Sequence, residues 1–348
     1  MRRSSSTLAG EESDGTLPHG GRLEEARRRW PQAPEPFLDL STGINPHSDP
    51  LPPLPPECFT RLPEPEALAR LETLAAAAYG VSDAACVVAA PGTQALIQHL
   101  PQLMTAESVT VLGPTYNEHA ESWRRAGLSV SETSDAAALR SAEVAVLCNP
   151  NNPDGARHAP EALFAIGRHT RLLVVDEAFA DLEPEPLSLA PHMPLPSVVV
   201  LRSFGKTYGL AGLRLGFAIT DPQLAAKLRA LLGPWAVSGR AIVAGSAALA
   251  DEAWRSAVRE RLEQDVARLD RLLAASGLEV RGGTLLFRLA EGDPGTAERL
   301  GQAGILVRAF PFAPTWFRFG IPGGEETWER LQLALSPLRE RAASEASG

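Results

Sequence analysis

Ser203-Phe204-Gly205-Lys206-Thr207-Tyr208-Gly209-Leu210-Ala211-Gly212-Leu213-Arg214-Leu215-Gly216 is the stretch from which the rest of the chain can be read. One lysine stands three residues after a serine and eight before an arginine, among glycines at 205, 209, 212 and 216. The apolar runs Val198-Val199-Val200-Leu201 and Leu215-Gly216-Phe217-Ala218-Ile219 flank it, which predicts a strand, a tight turn and another strand. Glycines so closely spaced permit positive φ angles and let the backbone approach a ligand. A partly desolvated lysine beside a second cation gives up its proton more readily than a free one. An amine that attacks a carbonyl to form a Schiff base needs that property. A lone turn lysine is ordinarily a solvated surface residue, and it is the surrounding spacing that argues otherwise.

Upstream of this stretch, strand and helix patterns alternate. Short apolar strands are predicted at Cys86 to Ala89, Val109 to Leu112, Val144 to Cys148 and Leu172 to Asp176. Helices are predicted at Glu66 to Tyr79, from the Pro91-Gly92-Thr93 turn to Leu103, at Asn117 to Ala126 and at Pro160 to His169. Continuous apolar strands separated by helices indicate a parallel sheet covered on both faces. The proline-dense segment from Pro50 to Pro65 excludes helix and central strand. Downstream the texture changes, with helices at Asp221 to Leu232, Ser238 to Leu249 and Glu252 to Ala275. Strands at Leu278 to Arg281, Leu285 to Leu289, Ile305 to Val307 and Trp316 to Phe319 alternate with helices near Thr296 and Glu325. The expected class is α/β, with a mostly parallel central sheet in a large domain and a smaller α+β domain. The expected division is a disordered tail over 1–16, an arm over 17–45 packing with the small domain, a large domain over 46–235, a small domain over 236–341 and a tail over 342–348.

Composition narrows the function. The 348 residues are 44% apolar, enough for a sizeable core, and carry a net charge of -9. That charge argues against a nucleic-acid surface or an anionic membrane as partner, though not against an anionic substrate met by a few placed arginines. No apolar run approaches the ~18 residues of a membrane span. Cys58, Cys86 and Cys148 are odd in number and contain no Cys-x-x-Cys pair, which suits buried thiols in a reducing compartment better than disulfides or a metal site. Arg2-Arg3 is followed by serines and acids rather than an apolar segment, so no secretory leader is expected and a cytoplasmic location is.

Ser-x-x-Lys followed by Gly-Leu-x-Gly-x-Arg-x-Gly resembles the pyridoxal phosphate (PLP) attachment loop of the class I/II aminotransferase superfamily. Gly92-Thr93, Pro114-Thr115-Tyr116, the Asn149 to Gly155 turn and Asp176-Glu177-Ala178-Phe179 precede it in the order seen in such enzymes. The resemblance implies the PLP-dependent transferase (aspartate aminotransferase-like) fold and PLP as cofactor. It makes Lys206 the lysine that bonds the cofactor, with Ser203 and Arg214 on its phosphate. Gly92, Thr93 and Gln94 open a helix directly after a strand, where free amides and a positive dipole end favour a phosphate. Asp176 ends an apolar strand, where a carboxylate is costly unless paired; the resemblance pairs it with the cofactor ring nitrogen. Asn152 is implied as a donor to the phenolic oxygen, and Tyr116 as a ring stacked on the cofactor. Read alone, these are a helix cap, a strand-end cap, a turn asparagine and a core tyrosine.

Within the superfamily the chain resembles the histidinol-phosphate aminotransferase branch, and most of all the threonine-phosphate decarboxylases of cobalamin synthesis. His19-Gly20-Gly21, the run from Asp39 to Pro46, Phe179 and Pro234-Trp235-Ala236-Val237-Ser238 carry that likeness. It implies Arg318 on the substrate carboxylate, Arg308 and His19 on a substrate phosphate, backbone at Gly20 and Gly43 beside them, and Asn152 near the substrate. The implied reaction is decarboxylation of L-threonine O-3-phosphate by a homodimer, with a phosphorylated amino acid as its small-molecule partner and neither nucleic acid nor membrane. Two alternatives stay open: an aminotransferase acting on histidinol phosphate or a similar amino acid, and a non-catalytic PLP-fold binding module. Four positions depart from the pattern: Leu62 where many relatives have a tyrosine, Gly43 where some have asparagine, Gly205 where others have serine or threonine, and Phe179 where many have tyrosine.

Overall fold

The computed structural model describes residues 20–184 and 186–345, with side chains through Ser336. His19, the 1–16 tail and residues 346–348 lie outside the described residues. The strands are β1 (Leu38–Leu40), β2 (Val87–Ala90), β3 (Ser108–Leu112), β4 (Ser129–Thr133), β5 (Val144–Cys148), β6 (Leu172–Asp176), β7 (Val198–Arg202), β8 (Gly216–Thr220), β9 (Glu279–Thr284), β10 (Phe287–Glu291), β11 (Ile305–Phe310) and β12 (Ala313–Gly320). The helices are α1 (Leu23–Arg29), α2 (Glu57–Thr60), α3 (Pro65–Ala78), α4 (Thr93–His99), α5 (Glu118–Arg125), α6 (Pro160–Gly167), α7 (Phe204–Thr207), α8 (Pro222–Leu232), α9 (Gly239–Ala250), α10 (Glu252–Ala275), α11 (Thr296–Gln302) and α12 (Glu325–Glu345).

Seven strands form the larger sheet in the order β2-β8-β7-β6-β5-β3-β4. All its pairings are parallel except the two made by β8, which runs against both β7 and β2. Alternate residues of β6 serve opposite faces, as strand geometry requires. Leu173 and Val175 enter one core with Leu163 and Phe217, while Leu172 and Val174 enter the other with Ile97 and Trp123. Burial on both faces explains why β5, β6 and β7 read as unbroken apolar runs.

The smaller sheet runs β1-β11-β12-β10-β9. Helices α10 and α12 cover it through a separate core that includes Leu262, Leu269, Leu273, Trp328 and Leu331. Strand β1 of the N-terminal arm joins this sheet, pairing parallel to β11 with Leu38 opposite Ile305. Trp30 fixes the arm further, its indole N–H donating to Glu298 at 2.8 Å.

Three local readings are corrected. The proline-dense segment holds one helical turn, α2, because Pro56 stands at its N-cap, where a missing N–H costs nothing. The turn between β7 and β8 is the helical turn α7 followed by a 3-10 turn at Ala211–Leu213, with Arg214 left-handed at φ 53°. Helix α12 runs on through residues 342–345, beyond the expected end of the domain.

Candidate active site

Ligand sites of open parallel sheets lie beyond the carboxyl ends of the strands, and here the chain supplies its polar residues at those ends. Cys148 closes β5, Asp176 closes β6, Ser203 follows β7 and Thr93 opens α4 after β2. Together with Lys206, Arg214, Arg308 and Arg318 they line a cavity of about 490 Å³ between the two sheets.

Lys206 sits in α7, half-buried, with its ammonium 5.4 Å from the centre of the Phe179 ring. Burial first, then the positive charge of Arg318, pull its pKa down to about 8, against the pull of Asp176. The sequence-based expectation of an easily deprotonated amine matches this direction and cause. Gly205 is required beside it, since a Cβ there would lie 2.7 Å from the Ala211 Cα.

Asp176 is 6% exposed and accepts a hydrogen bond from the Ala178 amide at 3.0 Å. Its other oxygen stands 2.9 Å from Nε2 of His119, a fully buried residue of α5. Burial opposes charge on this imidazole, yet the Cys148 sulfur and the Asp176 carboxylate outweigh it and raise the His119 pKa. The donor atoms of His119, Cys148 and Asp176 all lie within 4.8 Å of one another. His119 was not identified from the sequence. Its signal was the Tyr116-x-x-His119 spacing across the start of α5, where the two rings lie 6.0 Å apart and nearly perpendicular.

The opposite end is built for an anion. Gly92 has φ 87° and caps α4, where a Cβ would stand 2.9 Å from a terminal nitrogen of Arg214. Gly216 is equally constrained, its Cβ position being 2.7 Å from the Thr93 amide nitrogen. Two glycines therefore let the Arg214 guanidinium and the start of α4 converge on one spot that Ser203 also faces. Gln94 lines the same region and accepts the Tyr116 hydroxyl at 3.1 Å, which fixes the tyrosine ring at the cavity wall. Burial raises the Tyr116 pKa to about 12, so the hydroxyl keeps its proton.

Across the cavity, Arg318 of β12 is 7% exposed. Its guanidinium donates to the Asn152 side-chain oxygen and, at 2.8 Å, to the Ser41 carbonyl, while its Nε finds no partner. Arg308 stands directly opposite it on β11. Burial, then Arg308, lower the Arg318 pKa to about 10, and burial lowers that of Arg308. Gly20 lines the cavity too, packed so closely that a Cβ would lie 2.5 Å from the Ser41 carbonyl oxygen. Phe310, Pro311 and Phe312 close the rim, another contribution that the sequence reading missed.

Every expected site residue that is described lines this cavity except Gly43. Gly43 lies behind the wall, where a Cβ would meet the rings of Phe179 and Phe287 at 2.9 and 3.0 Å. Those two rings meet edge to face with centres 4.9 Å apart. Leu62 is 64% exposed and does not line the cavity. In place of Gly43, Ser41 and Thr42 carry the arm to the site.

Comparison with known proteins places the chain among relatives. A threonine-phosphate decarboxylase from a Sinorhizobium species is 42% identical over 92% of this chain and 98% of its own. A histidinol-phosphate aminotransferase from Mycobacterium tuberculosis is 39% identical, over 48% of this chain and 47% of its own. The crystal structure of histidinol-phosphate aminotransferase from Sinorhizobium meliloti, in complex with pyridoxal-5'-phosphate, superposes with a TM-score of 0.80 at 20% identity, covering 97% of this chain and 100% of that one. The family model for aminotransferase class I and II matches residues 57–332, and the chain belongs to that family.

Proposed function

We propose that the chain is a PLP-dependent carboxy-lyase that converts L-threonine O-3-phosphate to (R)-1-aminopropan-2-ol O-phosphate and carbon dioxide in cobalamin biosynthesis. The observation that carries the reading is the pair Arg308 and Arg318, opposite one another on adjacent strands and both facing the cavity that holds Lys206. Two guanidinium groups suit a substrate with two anionic ends, a carboxylate and a phosphate. Likeness to threonine-phosphate decarboxylases along nearly the whole chain supports the same conclusion.

The residues present fit the cofactor. Gly92 and Gly216 let Arg214 and the start of α4 come close enough together to hold a phosphate, Asp176 offers a buried carboxylate, and Lys206 offers an amine whose pKa is lowered to about 8. When bound, PLP supplies an electron sink for the pair released at the substrate Cα. Asp176, hydrogen-bonded to His119, would be the residue that holds the ring nitrogen of that group. Arg318 receives the substrate carboxylate through its planar fork, and Arg308 receives the phosphate, which fixes the Cα–carboxylate bond in one orientation. Lys206 Nζ carries the proton that Cα takes up after carbon dioxide departs.

The pocket rim carries two aromatic side chains, a buried Phe310 and an exposed Phe312. No helix among the described residues is long and apolar enough to cross a membrane, and all three cysteines are free thiols, which supports a cytoplasmic enzyme. Phe59, Leu62 and Trp235 leave 60%, 64% and 56% of their surface exposed, which supports a homodimer that covers them.

Incubation with phosphothreonine alone tests the reading, and release of carbon dioxide with no keto acid present is expected. Amino transfer to 2-oxoglutarate without carbon dioxide would establish the aminotransferase; the sequence of the Mycobacterium tuberculosis relative matches about half of the chain. A purified protein that binds no PLP would favour the binding module.

A further inference from the structure

We infer that Asp181, acting through Arg202 and Thr207, is a positioning residue for Lys206, holding the turn that presents the amine although Asp181 itself lies outside the cavity. What the amine then does rests on the function proposed above; where it is held does not.

Three pairs of adjacent residues divide between cavity and network. Asp176, Ser203 and Lys206 face the cavity, while their neighbours Glu177, Arg202 and Thr207 join a buried polar network beneath it. Arg202 is 4% exposed and binds Asp181 through one terminal nitrogen. Its other terminal nitrogen donates to Ser188 at 2.7 Å and pairs with Glu177 at 3.2 Å. Ser188 in turn donates to Glu177 at 2.6 Å. The second oxygen of Asp181 accepts the Thr207 hydroxyl at 2.9 Å.

The clamp has an upper jaw as well. Asn45, on the arm, donates its side-chain amide to the Thr207 carbonyl at 2.8 Å and its backbone amide to the Lys206 carbonyl at 3.0 Å. Lys206 is therefore gripped from two sides at its own main chain and at the next residue.

A fully buried arginine with two carboxylates is a poor way to add stability, because apolar side chains of similar volume do as well or better. Such a network has value where one geometry must be specified. The fixed position here belongs to a short helical turn of four residues, too short to hold itself.

The test follows Lys206 itself in the cofactor-free protein. Its rate of acylation is measured against pH by mass spectrometry, beside kcat of the PLP-loaded enzyme. Thr207→Val is expected to move the labelling midpoint upward from about pH 8, as the amine leaves its desolvated place. It is expected to lower kcat by about 10- to 100-fold, the usual cost of a reacting group displaced by ~1 Å. Thr207→Ser restores the hydroxyl and should behave nearly as the parent. Asp181→Asn, which keeps the shape, should move both readouts in the direction of Thr207→Val and stands in for it if that variant does not fold. An unchanged midpoint and kcat in either folded variant would overturn the proposal, as would Thr207→Ser failing as badly as Thr207→Val. A shifted midpoint in a protein that never releases carbon dioxide would sink the decarboxylase reading and leave the positioning role standing.

Discussion

His119 and Asp176 meet at 2.9 Å in the floor of the site, the histidine fully buried and the carboxylate nearly so. The pair keeps a charge at the end of β6 that would otherwise be too costly to hold there. Replacing His119 by Leu leaves that oxygen unpartnered. A hydrogen bond to a charged group contributes about 1.5–3 kcal/mol, so kcat/KM should fall by roughly 10- to 100-fold. Steady-state kinetics on phosphothreonine, with circular dichroism to confirm folding, check this.

Arg318 depresses the Lys206 pKa, second only to burial. Below about pH 8 the amine is protonated and inert, and above it the amine is free. Arg318→Gln removes a positive neighbour, so protonation becomes easier and the midpoint for Lys206 labelling should rise. An unchanged or lower midpoint would show that Arg318 does not act on the amine.

Arg318 should also discriminate between substrate and product. The proposed product has lost the carboxylate, so Arg318→Lys should weaken phosphothreonine binding by about 10-fold or more, as loss of a planar two-pronged contact implies. Affinity for 1-aminopropan-2-ol phosphate should change little. Calorimetric titration of both ligands decides it.

Arg308→Ala should impair phosphothreonine use while leaving cofactor affinity intact, because the proposed cofactor-phosphate site lies at Arg214 and Gly92, on the other side of the cavity. Equal loss of both, measured by PLP absorbance titration and kinetics, would place the substrate phosphate elsewhere.

Gly216→Ala should act on cofactor affinity instead. Its new methyl would stand 2.7 Å from the Thr93 amide nitrogen, forcing back the start of α4. The PLP dissociation constant should rise about tenfold or more, the effect of losing roughly one charge-assisted hydrogen bond.

Much of this architecture was legible in the sequence because its physical signals were local. Strands buried on both faces write themselves as apolar runs, as β5, β6 and β7 do. Strand β4, Ser-Val-Ser-Glu-Thr, escaped notice because an edge strand buries little and needs no apolar run. Lys206, Asp176 and Arg214, which line one cavity, were singled out through spacing within short motifs. His119 and Asp181 were missed because each acts through partners 57 and 26 or 21 residues away, a relation that only folding creates. Gly43 was expected at the site from the likeness to the decarboxylases; the turn of the arm aims it at Phe179 instead.

Loop and strand touch bare at Gly155 and Gly282, where any Cβ would fall 2.2 Å from the Gly283 carbonyl oxygen and 2.3 Å from that of Asp154. With main chain against main chain, no rotamer change or side-chain trimming can widen the gap between the two lobes. Directed evolution toward bulkier amino acids would therefore find its room at the aromatic rim around Phe312, whose ring is 54% exposed, and not at this seam.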